Sequence, residues 1–341
     1  MAKKKLIDMD DADLAEFYKL VDTQVRPGAG RPHADDRAPT EFISTGSLGV
    51  DFVSYGGIPR GRLTEIYGPQ HSGKTTLMMS TAGCVQKAGG RVAWVDMEFG
   101  FDDTWATTLG VDVRKLHIDN FDTAEEAFKF INIAVDSKRF DLIVIDSVAA
   151  MVPAIELAED FGKSHMGLQA RLMSQATRKL VGPVGRTRTA VVFLNQIRNK
   201  IGVTYGSPET TPGGFALQFF ASLRLDVRLR KPIMDGEERL GNYIEVTAKK
   251  CRAGAYGRKA LVPLYAATGI DTGMEVVDAA AAAELITKSG SHYSYNGDKM
   301  GQGARKAADW LVEHPDVMQE LWKQLMAVYA QRQPSTGTIE E

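Results

Sequence analysis

A phosphate-binding loop between a strand and a helix constrains the fold of this chain more than any other segment. Residues 68–75 read Gly-Pro-Gln-His-Ser-Gly-Lys-Thr, a G-x-x-x-x-G-K-T motif. The apolar run Leu63–Tyr67 precedes the loop and predicts a strand, and a helical pattern follows over Thr75–Lys87. Backbone N–H groups of such a loop surround phosphate oxygens, and the helix N-terminus adds a partial positive charge. The motif therefore predicts a nucleotide-binding α/β domain.

Two side chains of the loop carry its chemistry. Lys74 is expected to reach the β- and γ-phosphates, and the Thr75 hydroxyl is expected to coordinate Mg²⁺. The magnesium shell also needs a carboxylate, which Asp146 supplies at the end of the apolar run Leu142–Asp146. The predicted metal ligands are thus Thr75 and Asp146. The predicted nucleotide contacts in and beside the loop are Gly68, Pro69, Gln70, His71, Ser72, Gly73, Lys74, Thr75 and Thr76.

ATP hydrolysis further requires a group that orients the attacking water. Glu98 lies just past the predicted strand Arg91–Asp96, where a carboxylate can act as general base. Asp96 and Asp102 are equally well placed on the sequence alone, so the choice among the three carboxylates stays open at this point.

A glutamine offers a link between the nucleotide and a neighbouring loop. Gln196 ends the predicted strand Ala190–Gln196 with an amide that can sense a γ-phosphate. The basic, glycine-rich segment Ile197–Gly214 follows immediately. One side chain at this junction would couple the nucleotide state to the order of the loop.

Charge is balanced over the whole chain but not along its length. The formal net charge is −2, yet no Asp or Glu occurs between Phe161 and Pro208, where an even distribution would place about six. Because a long basic segment commonly binds a polyanion, it predicts a nucleic-acid surface. A solvated basic face that pairs with acids elsewhere is the alternative. The basic residues are Lys163, Arg171, Arg178, Lys179, Arg186, Arg188, Arg198 and Lys200.

Composition excludes several other classes of protein. With 44% hydrophobic and 25% charged residues, the chain has the mix of a soluble globular protein. Its apolar stretches fall far short of the ~18 residues that a membrane span needs. Cys84 and Cys251 are too few for a disulfide framework or a zinc site and fit a reducing cytosol.

Changes of pattern divide the chain into four segments. Residues 1–41 comprise a predicted amphipathic helix, Asp10–Val21, and a Pro- and Gly-rich linker. Strand and helix patterns alternate over residues 42–268, which predicts an α/β core with a mainly parallel sheet. Residues 269–330 predict a small separate α+β domain, and residues 331–341 a flexible tail.

Two finer patterns refine this division. Apolar and charged residues alternate over Leu223–Arg230 and again over Ile244–Ala248, on either side of the polar turn Asp235–Glu238. They predict an antiparallel hairpin with one solvated, charged face. In the third segment, helices are predicted over Val276–Lys288 and Ala304–Glu313, followed by a last helix.

Six motifs, in order and spacing, closely resemble the bacterial RecA family. The resemblance covers roughly Glu41 to Tyr329, and it implies a RecA-like ATPase core with an N-terminal oligomerisation helix. It also implies an ATP-dependent recombinase that forms a helical filament on single-stranded DNA, pairs it with homologous duplex DNA and exchanges strands, with ATP between adjacent protomers. The motifs are Ile43-Ser-Thr-Gly-Ser-Leu48, Gly61-Arg-Leu-Thr-Glu-Ile-Tyr-Gly68, Asp146-Ser-Val-Ala-Ala150, Ser164-His-Met-Gly167, Asn195-Gln-Ile-Arg198 and Pro208-Glu-Thr-Thr211.

The resemblance assigns roles in ATP hydrolysis to individual residues. It makes Glu98 the water-activating glutamate and Gln196 the γ-phosphate sensor. Trp105 falls where the family has an adenine-stacking tyrosine, and Asp102 where an adenine amino group is read. An indole can stack as a phenol does, and a core aromatic is the alternative for Trp105. The implied catalytic residues are Glu98, Lys74, Gln196 and Lys250.

One of these residues is expected to act on a neighbouring protomer. The family's cross-interface lysine pair falls on residues 249–252, Lys-Lys-Cys-Arg, in an ambiguous register. We expect Lys250, with Lys249 or Arg252 as the second cation, to stabilise charge on a neighbour's γ-phosphate. Gln218 replaces a usual lysine near the interface, so communication along the filament is expected to differ.

The resemblance also places two DNA-binding loops, at about Glu156–Met166 and Ile197–Gly213, in or next to the acid-free stretch. Arg171 and Arg178 lie seven residues apart on a helical run, so they share a face and resemble phosphate contacts. The implied DNA contacts are Met166, Gly167, Arg171, Ser174, Arg178, Arg198, Asn199, Lys200, Ile201, Gly202, Val203, Thr210, Thr211, Gly213, Gly214 and Arg228.

Two further groups of residues are assigned to DNA. Met166, Ile201 and Val203 resemble apolar wedges that part base steps, and packing of the last two against their own domain is the alternative. Four basic residues of the C-terminal segment are expected to guide duplex DNA, with a solvated basic face as the alternative. They are Lys288, Lys299, Arg305 and Lys306.

The implied cofactors are ATP and Mg²⁺, and the implied partners are single-stranded DNA, homologous double-stranded DNA and further copies of the chain. Single-strand binding protein and loader proteins are further expected partners. The expected location is the bacterial cytoplasm or nucleoid, with a role in DNA repair and the SOS response to DNA damage and with no membrane association.

Two other functions are compatible with the same core. A ring-shaped motor or helicase would use the same ATP site to translocate along DNA. An ATP-driven regulatory switch or protein autokinase would have no DNA role and would leave the acid-free stretch unexplained. The Ser164–Gly167 and Asn195–Gly214 segments favour the recombinase.

Overall fold

The computed structural model describes residues 11–25, 40–159, 167–199 and 209–331. The chain divides into two compact units, Met1–Thr40 and Glu41–Glu341. In the first unit, one helix spans Asp11–Gln24, close to the predicted Asp10–Val21, whose first residue lies outside the described part. Phe17 and Leu20 of this helix are half exposed.

The described residues form the following elements. The helices are α1 Asp11–Gln24, α2 Leu48–Val53, α3 Lys74–Lys87, α4 Asp103–Thr108, α5 Ala124–Asp136, α6 Ala154–Ala158, α7 Leu168–Thr187, α8 Ala216–Phe220, α9 Thr272–Ala282, α10 Ala304–Glu313 and α11 Pro315–Gln331. The strands are β1 Phe42–Ile43, β2 Ile58–Pro59, β3 Leu63–Gly68, β4 Val92–Asp96, β5 His117–Asp119, β6 Leu142–Asp146, β7 Ala190–Gln196, β8 Arg198–Asn199, β9 Glu209–Thr210, β10 Leu223–Asp235, β11 Glu238–Cys251, β12 Lys259–Tyr265, β13 Gly269–Ile270, β14 Thr287–Ser289, β15 His292–Tyr295 and β16 Asp298–Gln302. Within the described ranges, no helix combines the length and apolar character that crossing a bilayer requires.

A nine-stranded sheet organises the second unit, with strand order β13-β12-β11-β10-β3-β7-β6-β4-β5. Strands β10, β3, β7, β6, β4 and β5 run parallel, whereas β11, β12 and β13 pair antiparallel at one edge. The predicted α/β core with a mainly parallel sheet is therefore confirmed. Strands β6 and β7 have the predicted bounds, and β3 and β4 differ from theirs by one residue.

The register of the parallel strands sets the position of the phosphate loop. Gly68 at the end of β3 is paired with Gln196 at the end of β7, and Asp96 at the end of β4 is paired with Asp146 at the end of β6. The carboxyl ends of parallel strands meet at one edge of a sheet. The four residues therefore lie along a single edge, next to the N-terminus of α3.

Both faces of the sheet are covered by helices, as the apolar strands require. Trp94 of β4 packs with Leu77 of α3 in one cluster, whereas the next residue, Val95, packs with Ile131 of α5 in the cluster on the other face. Successive side chains of a strand point to opposite faces, so near-continuous apolar strands need cover on both sides. Two layers of helices therefore enclose the sheet.

The predicted hairpin is present as β10 and β11, joined at Gly236. Its apolar face is buried in the core, with Leu225 and Val246 both inaccessible to solvent. The charged face is less solvated than predicted, because Asp226 is only 7% exposed. Its carboxylate accepts a hydrogen bond from Nε of Arg228 at 2.6 Å. Pairing within the charged face thus replaces water.

The C-terminal residues form helices around a three-stranded sheet of order β14-β15-β16. The predicted helix Val276–Lys288 is wrong in its second half, since α9 ends at Ala282 and Lys288 lies in β14. Glu284 adopts a positive φ of 58°, which ends the alanine-rich helix and turns the chain. Residues 287–289 then pair with β15, whose Tyr293 and Tyr295 are buried against the helices, and this pairing outweighs the local helical propensity.

A buried carboxylate fastens this helical region to the core. Glu275 of α9 accepts hydrogen bonds from Ser47 Oγ at 2.8 Å and from the backbone N–H groups of Leu48 and Gly49 at 3.1 and 3.2 Å. These groups lie at the N-terminus of α2, where an acceptor is stabilised by the helix dipole. Burial nevertheless raises the pKa of Glu275 to about 8.

We predict that Glu275→Gln flattens the pH dependence of stability. The carboxyl pKa rises from 4.5 to about 8 on folding. The folded state therefore binds more protons than the unfolded state in this window, and the free energy of unfolding falls as the pH rises through it. This contribution is at most about 1.4 kcal/mol per pH unit. Melting temperatures measured from pH 5 to pH 8 should decline less in the variant than in the wild type.

The exposed Glu284→Gln is the matched control from the same region and should follow the wild-type curve. An unchanged slope in Glu275→Gln would show that Glu275 is already ionised throughout this range.

Candidate active site and nucleic-acid interface

The phosphate loop follows β3 and leads into α3, as predicted. Two glycines are required by their surroundings. A Cβ atom on Gly68 would lie 2.1 Å from the carbonyl oxygen of Val227 in β10, and one on Gly73 would lie 2.8 Å from Cδ2 of Leu264 in β12. Gly73 also has a φ of 90° at the N-cap of α3, a conformation that glycine adopts without strain. Strands β10 and β12 thus press against the loop.

The side chain of Lys74 lies back over its own loop. Its Nζ donates to the carbonyl oxygens of Gly68 at 3.2 Å and Pro69 at 2.6 Å, and to Ser72 Oγ at 3.4 Å. Burial lowers the pKa of Lys74, partly offset by the nearby carboxylates of Asp146 and Glu98. A phosphate in the loop would offer this ammonium group charged acceptors in place of neutral carbonyls.

Thr75 and Asp146, the two predicted metal ligands, are in direct contact. The Thr75 hydroxyl donates to Oδ2 of Asp146 at 2.8 Å. Burial, together with the negative charges of Glu98 and Asp96, raises the pKa of Asp146 to about 6. An aspartate whose ionised form is disfavoured in this way gains from a cation beside it. The hydroxyl and carboxylate oxygens are donors of the kind that Mg²⁺ prefers, so the residues fit this ion.

Glu98 is the carboxylate that reaches the nucleotide site. Its Oε1 accepts a short hydrogen bond from Ser147 Oγ and a second one from Nε2 of Gln196 at 3.0 Å. The candidate base and the candidate sensor are therefore in contact. Sequence reasoning missed Ser147, although its place directly after Asp146 in a motif was a signal that could have identified it.

The other two candidate bases have structural roles here. The Asp96 carboxylate accepts hydrogen bonds from the backbone N–H groups of Glu98 and Phe101, at 3.1 and 2.9 Å. Asp102 caps α4 by accepting from the Trp105 N–H at 2.9 Å. Geometry thus separates three carboxylates that the sequence left equivalent.

A cavity of about 440 Å³ unites the loop with these groups. Trp105 and Asp102 are not among its lining residues, but the Trp105 indole N–H donates to Thr76 Oγ1 at 3.2 Å, which holds the ring beside the start of α3. Leu264 of β12 also lines the cavity and was not predicted. The lining residues are Gln70, His71, Ser72, Gly73, Lys74, Thr75, Thr76, Glu98, Asp146, Ser147, Gln196 and Leu264.

Lys250, the predicted cross-interface cation, is held on its own protomer in this structure. Its Nζ donates to the carbonyl oxygens of Gln218 at 2.7 Å and Phe219 at 2.8 Å, at the end of α8. Burial, together with the positive charges of Arg252 and Arg224, lowers its pKa. Lys249 lies on the same strand with its Nζ 3.9 Å from an Asp226 carboxylate oxygen, and the Arg252 side chain is exposed.

Helix α7 carries three of the predicted DNA contacts. Arg171 and Arg178 are exposed on this helix, with Ser174 half-buried between them. Arg178 Nε donates to the Ser174 carbonyl oxygen at 3.1 Å. Gly167, with a φ of 84°, begins the helix. Arg171 and Arg178 therefore present a basic face to solvent.

The second predicted DNA loop returns to the start of α7. Its described ends form a two-stranded ribbon, in which Arg198 pairs with Thr210 and Asn199 with Glu209. The loop then turns at two glycines with positive φ, and a Cβ on Gly214 would lie 2.8 Å from the Ala170 side chain. The structure thus places the described exit of the second loop beside α7, which carries Arg171 and Arg178. Of the first predicted loop, Glu156–Met166, only residues 156–159 are described. Met166, Lys200, Ile201, Gly202 and Val203 lie outside the described residues.

Two further predicted contacts are paired with carboxylates of the protein, and a third is buried. Arg228 forms two hydrogen bonds with the Glu209 carboxylate, at 2.7 and 2.6 Å, besides its bond to Asp226. The Arg228 hydrogen bonds lower the pKa of Glu209. Thr211, just after the ribbon, is buried, with 5% of its surface exposed. In the C-terminal region, Arg305 is paired with Asp271. A DNA phosphate would have to displace these carboxylates.

Comparison with known proteins accounts for nearly the whole second unit. Residues 30–271 match the RecA N-terminal domain and residues 274–330 match the RecA C-terminal domain. The chain is 46% identical over 283 residues to a protein named "Protein RecA" from Thermus aquaticus, covering 82% of this chain and 83% of that one. Proteins of the same name from Leptospira biflexa and Leptospira meyeri are each 47% identical over 286 residues, covering 83% of this chain and 74% of theirs.

We predict that Gly68→Ala weakens nucleotide binding and lowers the melting temperature. The added methyl group would lie 2.1 Å from the backbone oxygen of Val227, which no side-chain rotation can relieve. Overpacking of this kind costs about 1–3 kcal/mol. The affinity for a fluorescent ATP analogue should fall at least about tenfold if most of that cost is borne by the loop.

The control is Gly185→Ala on α7, where the nearest atoms to an added Cβ are 4.0 Å away. It should bind the analogue as the wild type does. Wild-type affinity in Gly68→Ala would mean that β10 shifts to accommodate the added methyl group.

Proposed function

This chain belongs to the RecA family and is a DNA-dependent ATPase of homologous recombination, and we propose that it acts as a helical filament on single-stranded DNA. In that filament it would pair the bound strand with homologous duplex DNA and promote strand exchange. Within the chain, the single observation that carries the mechanism is the hydrogen bond from Gln196 Nε2 to Glu98 Oε1 at 3.0 Å. This bond links the proposed catalytic base, Glu98, to the residue that leads into the second loop.

We propose that Glu98 is the general base. A γ-phosphate in the loop would attract the Gln196 amide, and Glu98 would then lose one of the two donors that occupy Oε1. The freed carboxylate can accept a proton from water as that water attacks the γ-phosphorus. Lys74, at the start of α3, would stabilise the negative charge that develops on the transferred phosphoryl group.

Mg²⁺ is the proposed metal, held by Thr75 and Asp146. When bound, it neutralises phosphate charge and orients the γ-phosphoryl group. Displacement of the present hydrogen bond between Thr75 Oγ1 and Asp146 Oδ2, 2.8 Å long, would free both oxygens for this role. Asp102 and Trp105 are proposed to contact the adenine, because α4 is tied to Thr76 by the indole N–H.

DNA would contact the surface formed by α7 and the second loop. Arg171 and Arg178 can neutralise phosphates without reading base sequence, which suits a protein that must coat any strand. The turn at Gly213 and Gly214 allows the second loop to approach α7 closely. Arg198 and Asn199 at its other end are exposed to solvent and available for further contacts.

Assembly of copies would complete the ATP site. We propose that Lys250, with Arg252 or Lys249, reaches the γ-phosphate of a neighbouring protomer, and that α1 docks on another copy through Phe17 and Leu20. Both side chains are half exposed and apolar, as a docking helix requires.

We propose that the protein acts in the bacterial cytoplasm or nucleoid, in DNA repair and the response to DNA damage. Single-strand binding protein would clear the DNA and loader proteins would start the filament. The basic C-terminal residues Lys288, Lys299 and Lys306 would guide the duplex.

We predict that Glu98→Gln abolishes turnover but keeps binding. The amide is isosteric and cannot accept the proton, so DNA-stimulated ATP hydrolysis should fall at least about a hundredfold. Filaments on single-stranded DNA, viewed by negative-stain electron microscopy with ATP, should persist. The control is Glu238→Gln in the exposed hairpin turn, which should hydrolyse ATP normally. Substantial hydrolysis by Glu98→Gln would assign the base elsewhere.

We predict that removing the basic face of α7 changes the salt dependence of DNA binding. A logarithmic plot of the affinity for single-stranded DNA against salt concentration should lose about 0.7 from its slope for each of Arg171→Ala and Arg178→Ala, one phosphate contact apiece. Arg186→Ala is the control, exposed on the same helix but about 22 Å from Arg171 by helical rise. Equal slopes in all four proteins would remove α7 from the DNA surface.

A further inference from the structure

One buried amide connects the nucleotide sensor to the exit of the second loop. Asn195 is inaccessible to solvent, directly before Gln196 in β7. Its Oδ1 accepts from the Gln196 N–H at 3.0 Å. Its Nδ2 donates to Oε1 of Glu65 and to the carbonyl oxygen of Pro212, each at 3.0 Å. Three hydrogen bonds thus meet at one side chain.

A buried ion pair determines which way this amide faces. Glu65 of β3 is inaccessible to solvent, and its second oxygen, Oε2, accepts from Nε of Arg224 at 2.6 Å. The Arg224 guanidinium also lies over the Tyr67 ring, 4.7 Å from its centre. Because an ionised carboxylate can only accept hydrogen bonds, the group of Asn195 that faces it must be the NH₂. The remaining N–H of that NH₂ then points at Pro212.

The loop exit has room to move and an unsatisfied group. A cavity of about 320 Å³ lies beneath it, lined in part by Tyr67, Thr211 and Arg224. The Thr211 hydroxyl is buried and, among the residues that the structure describes, has no hydrogen-bond partner. An unpaired buried hydroxyl calls for a physical explanation, and a second position of the exit, in which the hydroxyl finds a partner, would supply one. The bond to Asn195 would then hold the exit in its present position.

We propose that Asn195 is a positioning residue that transmits the state of Gln196 to the exit of the second DNA-binding loop. A movement of Gln196 toward a γ-phosphate shifts its backbone N–H, the Asn195 amide follows, and the Pro212 carbonyl moves with it. Glu65 and Arg224 act as the fixed anchor about which this amide turns. The inference rests on the proposed function, because it assumes that nucleotide and DNA bind where that function places them.

The test compares DNA affinity in two nucleotide states. The probe is a fluorescein-labelled oligothymidylate, titrated by anisotropy in the presence of ATPγS or ADP. The wild type should bind it at least about tenfold more tightly with ATPγS, within the usual range of allosteric coupling. In Asn195→Asp the carboxylate cannot donate to Glu65 or Pro212, so this ratio should fall below about threefold. The affinity for a fluorescent ATP analogue without DNA should stay within about threefold of the wild type.

A double variant separates positioning from stability. In the double variant Glu65→Gln with Asn195→Asp, the carboxamide and the carboxylate exchange places. The amide now at position 65 can donate to the carboxylate at position 195, and the net charge near Arg224 is unchanged. The melting temperature should recover toward the wild type. The coupling ratio should stay low, because neither oxygen of the aspartate can donate to Pro212. This variant also covers the case in which Asn195→Asp alone does not fold.

The control is Asn132→Asp, which removes a similar single hydrogen bond from Nδ2 to the Phe128 carbonyl oxygen, 2.7 Å long, within α5. It should couple as the wild type does. Recovery of the coupling ratio together with stability in the double variant would overturn the inference and leave Asn195 a structural residue. So would an equal loss of DNA affinity with ATPγS and with ADP. Absence of coupling in the wild type itself would instead overturn the proposed function, and the inference with it.

Discussion

The parallel pairing of β3, β7, β6 and β4 is the constraint on which the rest of the structure depends. Its register sets Gly68 beside Gln196 and Asp96 beside Asp146, so residues far apart in sequence end at one edge. A slip of one residue would turn each side chain to the other face of the sheet. The helices pack against both faces in this register, so a slip would disturb the packing of both apolar layers.

Much of this edge could be predicted from the sequence because the signals are local. A glycine-rich loop between an apolar strand and a helix, or an aspartate at the end of an apolar run, is visible in a few neighbouring residues. The choice of Glu98 over Asp96 was not visible. Both lie at the end of β4, and only the turn, in which Asp96 accepts backbone hydrogen bonds, directs Glu98 into the cavity. The helix beyond Ala282 was mispredicted for a similar reason, since pairing of β14 with the buried strand β15 outweighed local propensity.

The acid-free stretch contains exposed arginines, but the charge pattern alone does not show which arginines of the chain are unpaired. Arg171 and Arg178 lie within it and are exposed, whereas Arg228 lies beyond it and is paired with Glu209 and Asp226. Pairings of this kind are set by strand register and by where a loop returns. A linear charge pattern therefore identifies which segment is basic, and the three-dimensional structure decides which cations are available to a polyanion.

The hydrogen bonds from Lys250 to the last carbonyl groups of α8 affect where ATP can be hydrolysed in an assembly of copies. In a chain with no neighbour, Lys250 caps α8 of the same chain, a short helix that also carries the exposed Phe219. In the proposed arrangement, the γ-phosphate bound to a neighbouring protomer competes with these carbonyl oxygens for Lys250. ATP would then be hydrolysed only where two copies meet. A run of copies would then always contain one fewer working site than it has members, and its end would differ chemically from its middle. Growth and loss of copies would therefore depend on position within the run.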